Sequence, residues 1–217
     1  MPNTKLECLV FTCNDYQENT YILCNPDSHE AVIVDLGCQY DDEWHQLLAL
    51  LQERECTVKL LLFTHAHPDH LTGLARALEL WKVSYAIHPD DLPLMRFLYQ
   101  TGNVLGAQPD SVRPPDILLD PGKPLPSPLG AITVLHTPGH TPGGCCFYLP
   151  NEGLIFTGDT LFRGSVGRAD LPGGNFPQLI QAIQTQLLPL PEDTIVYPGH
   201  GPSSTIGLEK KSNPYLQ

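Results

Sequence analysis

His65-Ala66-His67-Pro68-Asp69-His70 follows the run Lys59-Leu60-Leu61-Leu62-Phe63 after one residue, Thr64, and places four potential metal ligands within six residues. In extended backbone, alternate side chains share a face, so His65 and His67 can grip one ion together. On a helix the same pair would point to nearly opposite sides. Pro68 disfavours helix at the residue before it and itself suits the first helical position. The spacing therefore predicts a strand that ends near these histidines and a helix that opens at Pro68, with Asp69 and His70 in its first turn. The positive end of that helix would oppose a bare cation, and the Asp69 carboxylate offsets it. A strand end meeting a helix start presents two ligand sets side by side, as a two-metal centre requires.

A surface loop merely rich in histidine is the plain alternative, and the rest of the chain argues against it. His140 lies in Thr137-Pro138-Gly139-His140-Thr141-Pro142-Gly143-Gly144, after the strand-like Ala131-Ile132-Thr133-Val134-Leu135. Asp159 lies in Thr157-Gly158-Asp159-Thr160, after Gly153-Leu154-Ile155-Phe156. His200 lies in Pro198-Gly199-His200-Gly201-Pro202, after Thr194-Ile195-Val196-Tyr197. Each follows a short apolar strand and sits among glycine and proline, which hold a side chain at a sheet edge in a fixed, non-helical geometry.

This set in this order resembles the metallo-β-lactamase superfold, whose signature is H-x-H-x-D-H followed by a later His, an Asp and a final His. The resemblance runs from about Leu6 to His200. It implies an α/β chain folded as a four-layer αββα sandwich with metals at one edge. It also implies that His65, His67 and His140 bind metal one, that Asp69, His70 and His200 bind metal two, and that Asp159 bridges them. Asp35, in Ala31-Val32-Ile33-Val34-Asp35-Leu36-Gly37, matches a supporting aspartate near the site; on its residues alone it reads equally as a strand-terminal turn residue.

The segment after Asp159, Gly158 to Asn175, resembles the glyoxalase II-like branch, the hydroxyacylglutathione hydrolases, especially the short bacterial type. The tail Ser204 to Tyr215 is similar to that type as well. Full-length glyoxalase II enzymes carry a helical C-terminal domain that helps hold glutathione, whereas here only residues 201–217 follow His200. The expectation is one domain over residues 1–217, without a separate helical substrate domain. The pattern at Gly167, Arg168 and Asp170 is also similar to that of persulfide dioxygenases.

The resemblance implies a hydrolase with two divalent ions per chain, zinc foremost, although His and carboxylate ligands also accept iron and manganese. A bridging hydroxide formed near neutral pH would attack a thioester carbonyl whose oxygen leans on a metal. The thiolate leaving group needs no strong general acid. Asp69 would act as a ligand and orient the hydroxide proton. Arg168, with Arg163, Lys210 and Lys211 behind it, could meet a substrate carboxylate, for instance on a glutathione-derived carrier. The rival expectation is an oxidoreductase, a persulfide dioxygenase with a single iron held by His65 or His67, His140 and Asp159. A non-catalytic zinc module is disfavoured, because structural zinc uses four ligands and no open position.

Composition narrows the function further. A length of 217 residues supports a sizeable core, and 41% hydrophobic with 17% charged residues are globular values. The net charge of −12 argues against a nucleic-acid or anionic-membrane partner; the partner that the resemblance implies is a small-molecule thioester, and the oligomeric state is open. The N-terminus, Met1 to Cys8, shows neither an export signal nor a membrane-spanning run, and the seven cysteines show no paired spacing, so a reducing cytoplasm is expected. Cys145-Cys146 should pack rather than cross-link.

Elsewhere the periodicity predicts strands over Leu6–Phe11, Tyr21–Cys24, Ala31–Val34 and Val83–Ile87. Helices are predicted over Asp41–Glu53, with Trp44, Leu47, Leu48 and Leu51 inward, and from Pro68 through Leu80. His45 and His88 read as ordinary surface or boundary histidines, and His136 as structural or as a support for the His140 loop. The proline- and glycine-rich stretch Gly102 to Pro128 reads as a plain surface excursion in preference to a connecting loop over the site.

Overall fold

Strands β3 (Glu30–Val34) and β4 (Thr57–Leu62) are apolar on both faces, and a sheet built on them needs a cover on each side. The computed structural model, which describes residues 6–100 and 112–217, supplies both covers. One sheet runs in the order β1 (Glu7–Cys13), β2 (Glu18–Asn25), β3, β4, β5 (Ser84–Ile87), β6 (Ile117–Leu118). The second contains β7 (Leu125–Ser127), β8 (Gly130–His136), β9 (Cys145–Leu149), β10 (Leu154–Gly158), β13 (Ile195–Pro198) and β14 (Ser204–Thr205), in the order β14-β13-β10-β9-β8-β7. A small hairpin, β11 (Leu161–Phe162) with β12 (Ser165–Val166), stands apart from both.

Three hydrophobic cores show the layering. Leu23, Val32, Val34, Leu60 and Leu62 face Ile132, Val134, Phe147 and Phe156 of the other sheet. On the opposite face of the first sheet, Ile22, Ile33, Leu61 and Phe63 pack on Trp44, Leu47 and Leu51 of α1 (Asp41–Glu53) and on α3 (Leu74–Leu80) and α4 (Leu92–Gln100). On the outer face of the second sheet, Cys146, Ile155 and Val196 pack on Leu179 of α5 (Phe176–Ala182), on the π-turns that follow it, and on Ile206 of α6 (Ile206–Ser212). The order is therefore helix, sheet, sheet, helix, the expected αββα sandwich.

Local details differ from the sequence reading. The helix expected over Pro68–Leu80 is broken into α2 (Pro68–Leu71) and α3. The break falls at Gly73, whose N–H donates to the Leu36 carbonyl (2.8 Å) and where an added Cβ would stand 2.6 Å from Leu36 Cγ. A backbone contact outside the helix thus overrides its propensity. Residues 102–111 of the expected loop lie outside the described residues; its remainder carries β6 and β7, edge strands too short for periodicity to reveal. Leu48 is only half-buried. Cys145 and Cys146 are free and buried in β9, as expected, whereas Cys24 and Cys56 face each other sulfur to sulfur with Cα atoms 6.6 Å apart. Among the described residues no helix is long and apolar enough to cross a membrane.

The seam between the sheets should dominate stability. Phe147→Ala empties a fully buried site there and is expected to cost about 3–5 kcal/mol in urea denaturation, with the m-value unchanged.

Candidate metal centre

Parallel strands end on the same edge, and both sheets contain a parallel pair there, β3 with β4 and β10 with β13. β4 runs out toward His65 and His67, β10 into Asp159 and β13 into His200, while the turn between β8 and β9 carries His140. Pro68 opens α2 with His67 as its N-cap residue in extended backbone (φ −72, ψ 150), so His67 still belongs to the strand exit and Asp69 and His70 to the helix, as the sequence predicted. Gly158 turns β10 at φ 47, a left-handed value that favours glycine. At Gly199 an added Cβ would crowd Asp159 Oδ1 and stand 2.7 Å from His70 Cε1. Only a bare backbone lets the His200 loop approach so closely.

Two ligand groups result. His65, His67 and His140 form one, and Asp69, His70 and His200 the other, each with its donor atoms within 4.8 Å of one another. Asp159 stands between them. Its Oδ2 is 3.4 Å from His140 Nε2, and its Oδ1 is 3.4 Å from His70 Nε2 and 3.6 Å from His200 Nε2. Asp69 Oδ2 lies 3.2 Å from His200 Nε2.

The Nδ1 atoms of His65, His70, His140 and His200 are held by oxygen partners, which turns their Nε2 atoms to the centre, while His67 Nδ1 lies 2.8 Å from His140 Nε2. His140 Nδ1–H donates to the Arg168 carbonyl (2.7 Å), His200 Nδ1–H to the Tyr16 carbonyl (3.0 Å) and His70 Nδ1–H to Asp35 Oδ2 (2.9 Å). Thr64 Oγ1 donates to Asp35 (2.7 Å) and lies 3.0 Å from His65 Nδ1, which fixes that ring too. Asp35 is thus a support for the site, at a left-handed φ of 53 that also suits the turn reading.

These residues fit metal ions on two independent grounds. His65 Nε2, His70 Nε2 and Asp159 Oδ1 are buried and have no hydrogen-bond partner, a costly condition that a cation would relieve. The rings of the first group also meet at steep angles of 75–88°, so their lone pairs converge. His88 and His136 provide the contrast. They lie near Asp90 but stack at 13°, and their lone pairs run parallel. His136 Nε2–H is spent on the Pro142 carbonyl (3.0 Å), in keeping with its structural reading, whereas His88, expected at the surface or boundary, is buried beneath it.

The charge states divide the two groups. Burial, and then the surrounding imidazoles, pushes His65 well below the ordinary histidine range. Burial and His140 bring His67 down to about 4. Burial also opposes charge on His70 and His200, but Asp69 and Asp159, with Asp35 for His70, outweigh it and raise both. Burial works against the Asp69 and Asp159 charges as well, yet His70 and its neighbours hold both carboxylates below the usual range.

Both groups open on a cleft of about 350 Å³ whose rim includes Tyr16, Pro68, Arg168 and Leu171. The Arg168 side chain points into solvent as a bidentate pair with Asp170 (2.7 and 2.8 Å). Arg163, Lys210 and Lys211 do not line the cleft: Arg163 caps the β11–β12 turn, and Lys210 on α6 lies 3.9 Å from Glu192. The sequence reading missed the turn between β1 and β2 and the start of β2. There Asn14 Nδ2 donates to the Asp69 and Gly37 carbonyls (2.9 and 3.0 Å), and Asn19 Nδ2 to those of Pro198 and Gly201 (3.1 and 2.8 Å). Glu18, fully buried, lies 3.9 Å from His70 Nδ1, and burial raises its carboxyl well above the ordinary range. The only local signal for these residues is the unusual density of Asn, Asp and Glu between Asn14 and Asn19.

Comparison with known proteins agrees with this geometry. The family model of the Metallo-beta-lactamase superfamily matches residues 13–200. The chain is 34% identical over 203 residues to hydroxyacylglutathione hydrolase GloC of Haemophilus influenzae, covering 93% of each. Among solved structures it is similar to the BLEG-1 B3 metallo-beta-lactamase, with a TM-score of 0.87 at 35% identity over 97% of this chain and 100% of that one. It is also similar to TTHA1623 in a di-iron-bound form, with a TM-score of 0.83 at 38% identity over 96% and 100%.

Protons compete with metals for the same lone pairs. His65 and His67, held below the ordinary range, stay available as pH falls, whereas His70 and His200, raised above it, must surrender protons even near neutrality. Acidification from pH 7.5 to 5.5 is therefore expected to empty the second group before the first, leaving about one ion per chain. Elemental analysis after equilibration at each pH checks this; simultaneous loss of both ions contradicts it.

Proposed function

The chain belongs to the metallo-beta-lactamase superfamily, and from that premise we propose that it is a dinuclear metallohydrolase that cleaves small thioesters of the S-2-hydroxyacylglutathione class. The observation that carries the reading is Asp159, which presents one carboxylate oxygen to each ligand group at the floor of a single cleft. The pattern from Gly158 to Asn175 and the likeness to GloC support the thioester class.

In this reading His65, His67 and His140 hold one ion, Asp69, His70 and His200 the other, and Asp159 both. When bound, such ions acidify a water and polarise a carbonyl oxygen; zinc, iron and manganese all suit the donors. The chain's own part is positional. Asp69 stays ionised beside His70 and His200, and its carboxylate can accept a hydrogen bond from the attacking water. The carbonyls of Arg168 and Tyr16 and the Asp35 carboxylate keep the ring protons on the outer nitrogens. Tyr16 and Leu171 offer apolar surface at the rim for the acyl group or the carrier. The departing thiolate is a weak base and needs no strong proton donor. The centre is locally cationic once loaded, so an anionic substrate is compatible with a net charge of −12.

Three assays on metal-replete protein decide between chemistries. Thiol release from a 2-hydroxyacylglutathione thioester, abolished by chelation and restored by metal, is the expected result. Oxygen consumption with glutathione persulfide would favour the mononuclear-iron dioxygenase, and preferential opening of a β-lactam ring a lactamase. Either outcome, without thiol release, refutes the proposal.

Arg168 is proposed to meet a carboxylate of the carrier. Its guanidinium is largely exposed and already paired with Asp170, so screening limits the contact. Arg168→Ala is expected to raise KM by about fivefold, with kcat and metal content unchanged. A thioester lacking that carboxylate should be indifferent to the change. An equal loss on both substrates would make Arg168 structural.

A further inference from the structure

Asp91 lies outside every motif described above, yet it is fully buried and its carboxylate accepts three hydrogen bonds. Oδ2 accepts from the Ala66 amide (2.8 Å), the residue between His65 and His67, and from Thr141 Oγ1 (2.9 Å), the residue after His140. Oδ1 accepts from the Gly143 amide (2.6 Å) in the same loop. We propose that Asp91 is a positioning residue for the first metal group, a splice that sets how far His140 stands from His65 and His67.

The argument is geometric. His65 and His67 leave the first sheet at the end of β4, and His140 leaves the second sheet between β8 and β9. The two sheets share no strand pairing, and among the described residues a single backbone bond joins these exits, from the Cys145 amide to the Thr64 carbonyl (2.8 Å); the His140 loop itself, on the far side of that bond, is placed by what else bridges it to Ala66. Asp91, in the single 3-10 turn Pro89–Asp91 after β5, reaches both. Contact is close enough to dictate sequence: an added Cβ at Gly143 would stand 2.6 Å from Asp91 N and 2.8 Å from its Cγ. Among the described residues no lysine or arginine pairs with the carboxylate, and its partners are two amides and a hydroxyl. An uncompensated buried carboxylate is an expensive way to add stability, whereas three directed, charge-assisted hydrogen bonds fix positions well. Asp35 occupies the corresponding place for the second group. It accepts from the Thr64 amide (2.8 Å) and directly from His70 Nδ1, and touches the first group only through Thr64 Oγ1 at His65, so the two aspartates hold amides two residues apart and only Asp91 reaches the His140 loop.

The proposal rests on the metal reading above, and the test separates the two. His200→Ala disables the second group and leaves the first; His140→Ala does the reverse. Zinc dissociation constants are measured by competition with a chromophoric chelator in each full-length variant, with and without Asp91→Asn. Asparagine keeps the shape but turns an amide donor toward the donors it should accept from. Supporting groups behind a ligand typically govern 10–100-fold in metal affinity, so Asp91→Asn should weaken zinc about 10–100-fold in the His200→Ala background and less than about threefold in the His140→Ala background. Equal weakening in both, or none in the first, overturns the proposal. If unmutated protein binds no zinc, the metal reading fails and this inference falls with it. If Asp91→Asn does not fold, Thr141→Val, which removes one of the three donors, should show the same selectivity with a smaller loss; absence of selectivity there overturns it equally.

Discussion

A strand that leaves its sheet carries amides that no neighbouring strand can accept, and in a dry interior each must find another partner. At the exit of β4 these amides belong to Thr64 and Ala66, and the acceptors are the carboxylates of Asp35 and Asp91. The rest of the site depends on this arrangement. It holds the His65–His67 segment extended so that both rings face inward, and it anchors that segment to α2 on one side and to the His140 loop on the other.

The same interior then tolerates a concentration of imidazoles and carboxylates that would be unstable if every group kept its solution charge. Burial and mutual repulsion keep His65 and His67 neutral, while the carboxylates draw protons onto His70 and His200. Hydrogen bonds to the outer nitrogens of His70, His140 and His200 decide which nitrogen of those rings faces the centre. What remains are buried atoms without partners, His65 Nε2, His70 Nε2 and Asp159 Oδ1, all turned to the same small region. That unmet demand links packing to chemistry.

The fold positions this centre but does not by itself choose the reaction. Proteins similar to this chain over nearly its whole length include one named as a hydroxyacylglutathione hydrolase and one as a metallo-beta-lactamase. The rim of the cleft is built from two remote segments, Tyr16 from the β1–β2 turn and Arg168 and Leu171 from the segment after Asp159. Arg168 shows how finely such a segment divides its work: its carbonyl orients His140 while its side chain lies in solvent with Asp170.

The seven candidate ligands and the strand-to-loop context of each were legible in the sequence, because they follow from residue chemistry and short-range periodicity; the αββα layering came only with the family resemblance. Apolar runs before each ligand marked the strands, and Pro68 marked the turn from strand to helix. The supporting contacts were not legible. Asn14 reaches Asp69 across 55 residues, Asp91 reaches Gly143 across 52, and Asn19 reaches Gly201 across 182. Nor could local spacing show that Leu36 interrupts the helix at Gly73, that Lys210 and Lys211 lie away from the cleft, or which oxygen of Asp159 faces which group. Local pattern determines which groups a chain can offer; the distances between them arise only when two sheets pack and bring remote backbone amides within reach of the same carboxylates.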